Sequence, residues 1–115
     1  INDGKFYGMI YNVGKIIIIN GGYFSTKDGY ATIQSIKSND TLNVGKTIIT
    51  GGTFEGTGKE LFTIEGNAEF VVSGGRFSHE LPEAIIADGY EQDYIDGYYV
   101  VTAKIWGRRT DWCLN

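Results

Sequence analysis

The chain has 115 residues, of which 42% are hydrophobic and 14% aromatic, and its formal net charge is −4. This length predicts a single domain, and the acidic balance argues against a nucleic-acid partner, because phosphates attract basic surfaces. One cysteine and one histidine are too few for an internal disulfide or a Cys/His zinc site, so we expect no metal and no cofactor. No apolar run exceeds four residues, so no membrane insertion is expected either.

The composition favours strands and turns over helices. Fifteen isoleucines and ten threonines suit pleated strands, and seventeen glycines supply tight turns. One stretch, residues 81–88, is predicted to hold a helical turn or two, with Pro82 at the first helical position, where its missing N–H has no partner in any case. The predicted fold class is therefore all-β.

Three copies of one pattern follow one another along the chain: an apolar strand, a pair of glycines, one variable residue and a phenylalanine. The copies cover 17–24, 47–54 and 70–77, and Asn-Val-Gly-Lys precedes the first two at 12–15 and 43–46. Further strands are predicted between the copies, at 30–34 and 61–65. The paired residues are Gly21, Gly22, Gly51, Gly52, Gly74 and Gly75, which gives spacings of 30 and 23 residues.

A unit of this length cannot close a hydrophobic core by itself, but stacked neighbours can close one together. Stacking pairs each strand in parallel with its counterpart in the next copy, about 4.8 Å away, so that like residues lie over like. The expected ladders are aromatic (Phe24, Phe54, Phe77), aliphatic (Ile18, Ile48, Val71) and polar (Asn20, Thr50, Ser73). This pattern predicts a short solenoid.

The alternative fold is an antiparallel β-sandwich, in which the glycine pairs form hairpin turns. Asp28-Gly29 and Asp96-Gly97 are typical of hairpin turns and suit either fold.

The Gly-Gly-x-Phe repeats resemble those of right-handed parallel β-helix proteins, the pectin-lyase-like architecture. Residues 71–101 contain Val-Val-Ser-Gly-Gly-Arg-Phe-Ser, then Leu-Pro-Glu-Ala-Ile-Ile-Ala-Asp-Gly-Tyr, then Asp-Gly-Tyr-Tyr-Val-Val. This order is similar to a closing module of surface repeat proteins of gut bacteria and of proteins encoded by their phages. The resemblance, which spans roughly residues 12–101, implies a right-handed parallel β-helix of about three to four rungs. Its last segment would be a small helical turn plus a hairpin that seals the final rung.

This interpretation divides the chain into rungs over 1–77, a closing cap over 78–101, and a C-terminal strand or docking tail over 102–115. Residues 1–10 begin directly in strand-like sequence, so we expect that end to be covered by preceding sequence or by a partner chain. The absence of an initiator Met and of a signal peptide indicates a processed chain or a piece of a longer one. So small a core is marginal by itself, which favours oligomerisation.

The net negative charge lies in the last third of the chain. Residues 1–77 carry seven acidic and seven basic groups, whereas residues 78–115 carry seven acidic and three basic groups. Six carboxylates fall between Glu80 and Asp96 without a lysine or arginine. They suit a calcium site, because hard cations take several oxygen ligands, or a solvated end that repels other ends. The EF-hand spacing is absent, which favours the second interpretation.

Few residues are candidates for catalysis. Ser78-His79-Glu80 contains triad residue types, but consecutive residues on an extended chain point to opposite faces. Cys113 has no neighbouring cysteine or histidine to activate it. Four glutamates near one rung suggest the carboxylate pair of a glycosidase, but the matching positions of the other copies hold lysines or apolar residues. The four glutamates are Glu55, Glu60, Glu65 and Glu69. We therefore expect no enzyme activity and no catalytic residue.

Two other groups of residues point to binding. Eight tyrosines are numerous for so short a chain, and exposed rings stack on sugar faces, although tyrosine also suits half-buried strand positions. Trp106, Arg108, Arg109 and Trp112 fall within seven residues, a composition typical of protein interfaces. They predict either a docking tail or a last strand tucked back over the stack, with the arginines paired to the acidic cap.

These patterns predict a non-enzymatic structural and interaction module. The resemblance implies that it belongs to a surface-exposed assembly, either a phage fibre or head-decoration protein or a bacterial surface adhesin. The alternative is a fragment of a polysaccharide-degrading β-helix enzyme. The expected partners are further copies of the chain, with a trimer favoured, or other structural proteins of the same assembly, and a glycan is a further candidate. The expected location is the virion surface or the bacterial cell surface, outside the cell.

Overall fold

The computed structural model describes residues 1–36, 45–66 and 68–104, and the described residues form an all-β fold. The strands are β1 (Lys5–Tyr7), β2 (Ile10–Val13), β3 (Ile16–Ile19), β4 (Tyr23–Ser25), β5 (Ile33–Ile36), β6 (Lys46–Ile49), β7 (Thr53–Glu55), β8 (Phe62–Ile64), β9 (Glu69–Val72), β10 (Arg76–Phe77), β11 (Tyr90–Ile95) and β12 (Tyr98–Ala103). One turn of 3-10 helix, Glu83–Ile85, lies between β10 and β11. Within the described ranges no helix has the length and apolar character needed to cross a membrane.

Three sheets are built from strands that are distant in sequence. Sheet A has the order β1-β4-β7-β10-β12-β11, sheet B the order β2-β5-β8, and sheet C the order β3-β6-β9. Pairing is parallel throughout sheets B and C and among the first four strands of sheet A. Each strand therefore lies beside its counterpart from the neighbouring copy.

The strands on either side of each glycine pair belong to different sheets: β3 and β6 lie in sheet C, whereas β4 and β7 lie in sheet A. The glycine pairs are therefore corners and not hairpin turns, and the antiparallel β-sandwich alternative is wrong. The prediction of an all-β fold with parallel sheets is confirmed. Asp28-Gly29 likewise joins strands of two sheets, whereas Asp96-Gly97 is the turn of the β11–β12 hairpin.

The register places like residues over like. Phe24, Phe54 and Phe77 are aligned on adjacent strands and fully buried, with ring centroids 4.6 and 5.2 Å apart along the stack. Thr50 Oγ1 donates a hydrogen bond of 2.7 Å to Asn20 Oδ1 beside the corner. The stacked copies thus share one aromatic core column.

Ile18, Ile48 and Val71 are also in register, but their column lies on the outer face of sheet C. The buried aliphatic column consists of their neighbours Ile19, Ile49 and Val72, all 0% exposed. A run of four isoleucines has no alternation between apolar and polar residues, so the sequence does not show which of them face the core. The position of the corner that follows the run decides this.

A further, degenerate copy of the pattern lies at the N-terminus, and the sequence analysis missed it. Phe6 stacks on Phe24 with ring centroids 4.9 Å apart, and Gly4 has the left-handed φ of the second glycine of each pair. Asn20 Nδ2 donates to Asn2 Oδ1 at 2.7 Å. The signal in the sequence is Asn-x-Gly-x-Phe, which is hidden because Asp3 replaces the first glycine.

The first Asn-Val-Gly-Lys motif, at 12–15, forms the corner between β2 of sheet B and β3 of sheet C. The side chain of Asn12 is buried, its Oδ1 accepts the Lys15 N–H at 3.0 Å, and its Nδ2 donates to Thr47 Oγ1 at 3.2 Å. Gly14 has a φ of +70°. Asn12 therefore supplies a hydrogen-bond acceptor within the turn and links the turn to the next copy by a second hydrogen bond.

The two ends of the stack differ. At the C-terminal end β12 pairs antiparallel with β10, the Ala87 N–H donates to Val72 O at 2.9 Å, and Leu81 and Ile85 are buried. Pro82 precedes the helical turn as its N-cap and is not its first residue. β12 continues to Ala103, past the predicted boundary at 101. At the opposite end β1, β2 and β3 are the edge strands of their sheets.

Candidate interaction surface

A row of aromatic and charged side chains crosses the outer face of sheet A, with one residue on each of five adjacent strands. The alternation that buries the phenylalanines directs the flanking residues outward. The members of this row, called the tyrosine row below, are Tyr7 on β1, Tyr23 on β4, Glu55 on β7, Arg76 on β10 and Tyr98 on β12. Four strand spacings make the row about 19 Å long.

Glu55 is the centre of the tyrosine row. Tyr23 Oη donates a hydrogen bond to Glu55 Oε1 at 2.6 Å, and Tyr98 Oη donates to Glu55 Oε2. The Arg76 guanidinium lies over the Tyr98 ring, 4.3 Å from its centroid, and the Tyr7 ring meets the Tyr23 ring edge-on at 6.3 Å. Both carboxylate oxygens are thus hydrogen-bonded. The Glu55 side chain links β4, β7 and the β11–β12 hairpin, called the cap hairpin below.

These contacts change the acid–base properties of the row. The hydrogen bonds from Tyr23 and Tyr98, together with the positive charge of Arg76, lower the pKa of Glu55. The same hydrogen bonds raise the pKa of both tyrosines. An ionised, hydrogen-bonded carboxylate suits linking strands or orienting a ligand, whereas a glycosidase acid needs a raised pKa.

We expect Glu55→Gln to lower the free energy of unfolding at pH 7 by about 1 kcal/mol, a small value because the group is only partly buried and still screened by solvent. The folded pKa of Glu55 lies below its unfolded value near 4.5, so its contribution is complete above pH 4.5 and disappears as the pH falls through the folded pKa. Urea unfolding at pH 7 and near pH 3 should show a difference from the wild type that closes on acidification. Glu91→Gln, an exposed glutamate on β11, is the control; a Glu55→Gln difference of equal size at both pH values contradicts the assignment.

Ser78 and His79 contact each other, which corrects the expectation that they point to opposite faces. Ser78 Oγ lies 2.7 Å from His79 Nδ1, and His79 Nε2 lies 2.6 Å from Gly58 O. Because a carbonyl only accepts, Nε2 is a protonated nitrogen that donates to Gly58 O. Ser78 Oγ also accepts the Gly56 N–H at 3.1 Å. The position of a triad carboxylate is therefore taken by a main-chain carbonyl, and the pair joins the 56–61 loop to the start of the cap.

The carboxylates of the cap do not converge. Among residues 1–36, 45–66 and 68–104, no three side chains of His, Cys, Asp and Glu are grouped closely enough to hold a metal ion. Glu80, Glu83, Asp88 and Glu91 instead line an open polar cleft of about 430 Å³. The solvated-end interpretation accounts for this arrangement.

The four glutamates of the enzyme alternative lie in different parts of the fold. Glu55 is on sheet A, Glu69 on sheet C pairs with Lys46 at 3.8 Å, Glu60 lies in the 56–61 loop, and Glu65 follows β8. The predicted interface residues Trp106, Arg108, Arg109 and Trp112, and also Cys113, lie outside the described residues.

The outer face of sheet A thus offers ring faces and edges, an ionised carboxylate and a guanidinium within one row, a combination that suits binding of a ligand with both apolar and polar edges. Sequence reasoning noted the tyrosines but did not group them, because the contacts join residues up to 43 positions apart. The chain matches no protein-family model, no curated protein and no solved structure.

Proposed function

We propose that this chain is a non-enzymatic structural and interaction module built as a short right-handed parallel β-helix with a closed C-terminal end. One observation carries the proposal: in all three sheets, the strands of the repeated copies pair in parallel and in register with their counterparts in the next copy. Such stacking gives a rigid body whose stability comes from contacts between neighbouring copies.

The difference between the two ends supports a role within an assembly. The β11–β12 hairpin and the helical turn cover the ends of sheets A and C. At the other end β1, β2 and β3 are edge strands, and Ile1 hydrogen-bonds to Ile18 O and to the Asn20 N–H beside β3. Unpaired edges accept further strands readily. Edge strands at that end are available to a further strand or to a partner chain, which suits a role within an assembly.

The outer face of sheet C is the surface proposed for self-association. Ile16 and Ile18 are 69% and 48% exposed, and Ile48 and Val71 continue the apolar column across the sheet. The Lys46–Glu69 ion pair lies beside this column. Exposed apolar columns on a flat sheet are typical of contacts between subunits, and a trimer would let three marginal stacks bury them together.

The resemblance of the Gly-Gly-x-Phe repeats to closing modules supports a place on a surface-exposed assembly. The candidates are a phage fibre or head decoration and an adhesin on a bacterial envelope. In either setting the stack supplies a rigid scaffold, and its outer faces make the contacts.

Light scattering coupled to size exclusion at micromolar concentration tests self-association. We expect a mass near three times the 12.7 kDa of one chain. Ile18→Lys places a charge on the outer face of sheet C and should give monomers without loss of the fold. Ile95→Lys is the matched control, because Ile95 is 49% exposed but lies on the cap hairpin. A monomeric wild type, or an oligomer that persists in Ile18→Lys, would reject the proposed face.

A further inference from the structure

An open cleft of about 590 Å³ lies where the first copy meets the second, next to the tyrosine row. It results from unequal loops. Two residues join β1 to β2, whereas seven join β4 to β5 and six join β7 to β8. The 26–32 loop therefore projects further outward than the two-residue connection between β1 and β2. The cleft is the space beside that shorter connection. The cleft is lined by Tyr7, Gly8, Met9, Ser25, Thr26, Lys27, Asp28 and Tyr30.

Hydrogen bonds hold the main chain of the cleft wall. Thr26 Oγ1 donates to Tyr30 O at 2.6 Å, and the Gly29 N–H donates to Thr57 Oγ1 at 2.9 Å. The 26–32 loop rests directly on the next loop, since a Cβ on Gly58 would lie 2.3 Å from Gly29 O. The main chain at Tyr30 is thus held in a defined turn, so less backbone ordering is needed on binding.

The cleft combines an apolar floor with polar groups. Tyr7, Tyr30 and Met9 are 74%, 59% and 39% exposed, which is a large apolar area for so small a protein. Lys27 and Asp28 add a donor and an acceptor of opposite charge. A sugar ring has this same division, with an apolar C–H face and hydroxyl groups around its edge. An apolar peptide side chain would contact only the apolar residues, and the opposite charges of Lys27 and Asp28 give the cleft no net charge that would select a charged ligand.

We propose that this cleft binds a neutral oligosaccharide, with Tyr7 and Tyr30 as the rings on which sugar faces stack. The Tyr7 ring also meets Tyr23, so a longer chain continues from the cleft along the tyrosine row. The inference rests on the proposed interaction role and gives it a ligand class. It does not depend on the outer face of sheet C.

Amide chemical shifts of the full ¹⁵N-labelled chain, titrated separately with cellohexaose, chitohexaose and maltohexaose to about 10 mM, test the proposal. At least one of the three should shift residues 7–9 and 25–30 in a saturable way. Tyr7→Ala and Tyr30→Ala should each weaken that binding about five- to tenfold, since a stacked ring contributes about 1 kcal/mol. Tyr94→Ala removes a ring of similar exposure from the cap hairpin and should bind like the wild type.

Shifts with none of the three sugars overturn the proposal, and so does undiminished binding by both cleft variants. Shifts at the cleft with N-acetyltryptophanamide but with no sugar would assign it to an apolar peptide side chain and also overturn the proposal. Ile18→Lys separates this test from that of self-association, because its substitution lies on sheet C. A monomeric Ile18→Lys variant that still binds sugar supports the cleft, whatever the oligomeric state of the wild type.

Discussion

Phe54→Ala is expected to lower the free energy of unfolding by about 3–5 kcal/mol, the range for removing a fully buried aromatic side chain. Phe54 is 0% exposed and lies in the middle of the aromatic column. Its ring stacks on Phe24 and Phe77 and meets Phe62 edge-on, with centroids 5.6 Å apart. The strands above and below are held by ladder hydrogen bonds, so the column cannot collapse into the space left by the ring.

Phe6→Ala is the matched control for this prediction. Phe6 is half-buried and ends the same column, with Phe24 as its stacked neighbour. Its loss removes less buried area and leaves an open notch, so we expect about 1–2 kcal/mol. Urea unfolding followed by circular dichroism measures both variants. Equal losses at the two positions would contradict a continuous core column.

Gly51→Ala and Gly74→Ala are expected to cost about 3 kcal/mol each, at the upper end of the range for overpacking. A Cβ on Gly51 would lie 2.3 Å from Asn20 O, and one on Gly74 would lie 2.2 Å from Thr50 O. Both obstacles are main-chain atoms of the neighbouring copy, so the copies must move apart. That movement stretches the adjacent ladder, including the 2.8 Å hydrogen bond from the Thr50 N–H to Ile19 O.

Gly89→Ala separates close stacking from backbone conformation. Gly89 has a left-handed φ of +84°, but no atom lies within 4 Å of an added Cβ. The substitution therefore carries only the conformational cost, about 1–2 kcal/mol. Thermal unfolding of the three variants should rank Gly89→Ala as the mildest. If Gly51→Ala and Gly74→Ala destabilise the protein no more than Gly89→Ala does, close stacking is not what requires the first glycine of each pair.

The N-terminal copy already contains a natural version of this experiment. Asp3 occupies the position that Gly21, Gly51 and Gly74 hold in the later copies, and a Cβ on Gly21 would lie 2.5 Å from Asn2 O. Among the described residues β1 is the edge strand of sheet A. The Asp3 side chain is exposed in this structure, whereas a Cβ on the equivalent later glycines would meet the main chain of the neighbouring copy.

The sequence by itself determined the all-β class and the alignment of the copies, because isoleucine, threonine and glycine have strong local preferences and because the Gly-Gly-x-Phe pattern recurs. It did not determine which isoleucines face inward, since Ile16–Ile19 contains no alternation and only the corner after Ile19 sets the face. Nor did it predict the Glu55 hydrogen bonds, the Ser78–His79 contact or the cleft between Tyr7 and Tyr30. Those features depend on which distant strands become neighbours and on the lengths of stacked loops, and both are decided by the packing of one copy on the next.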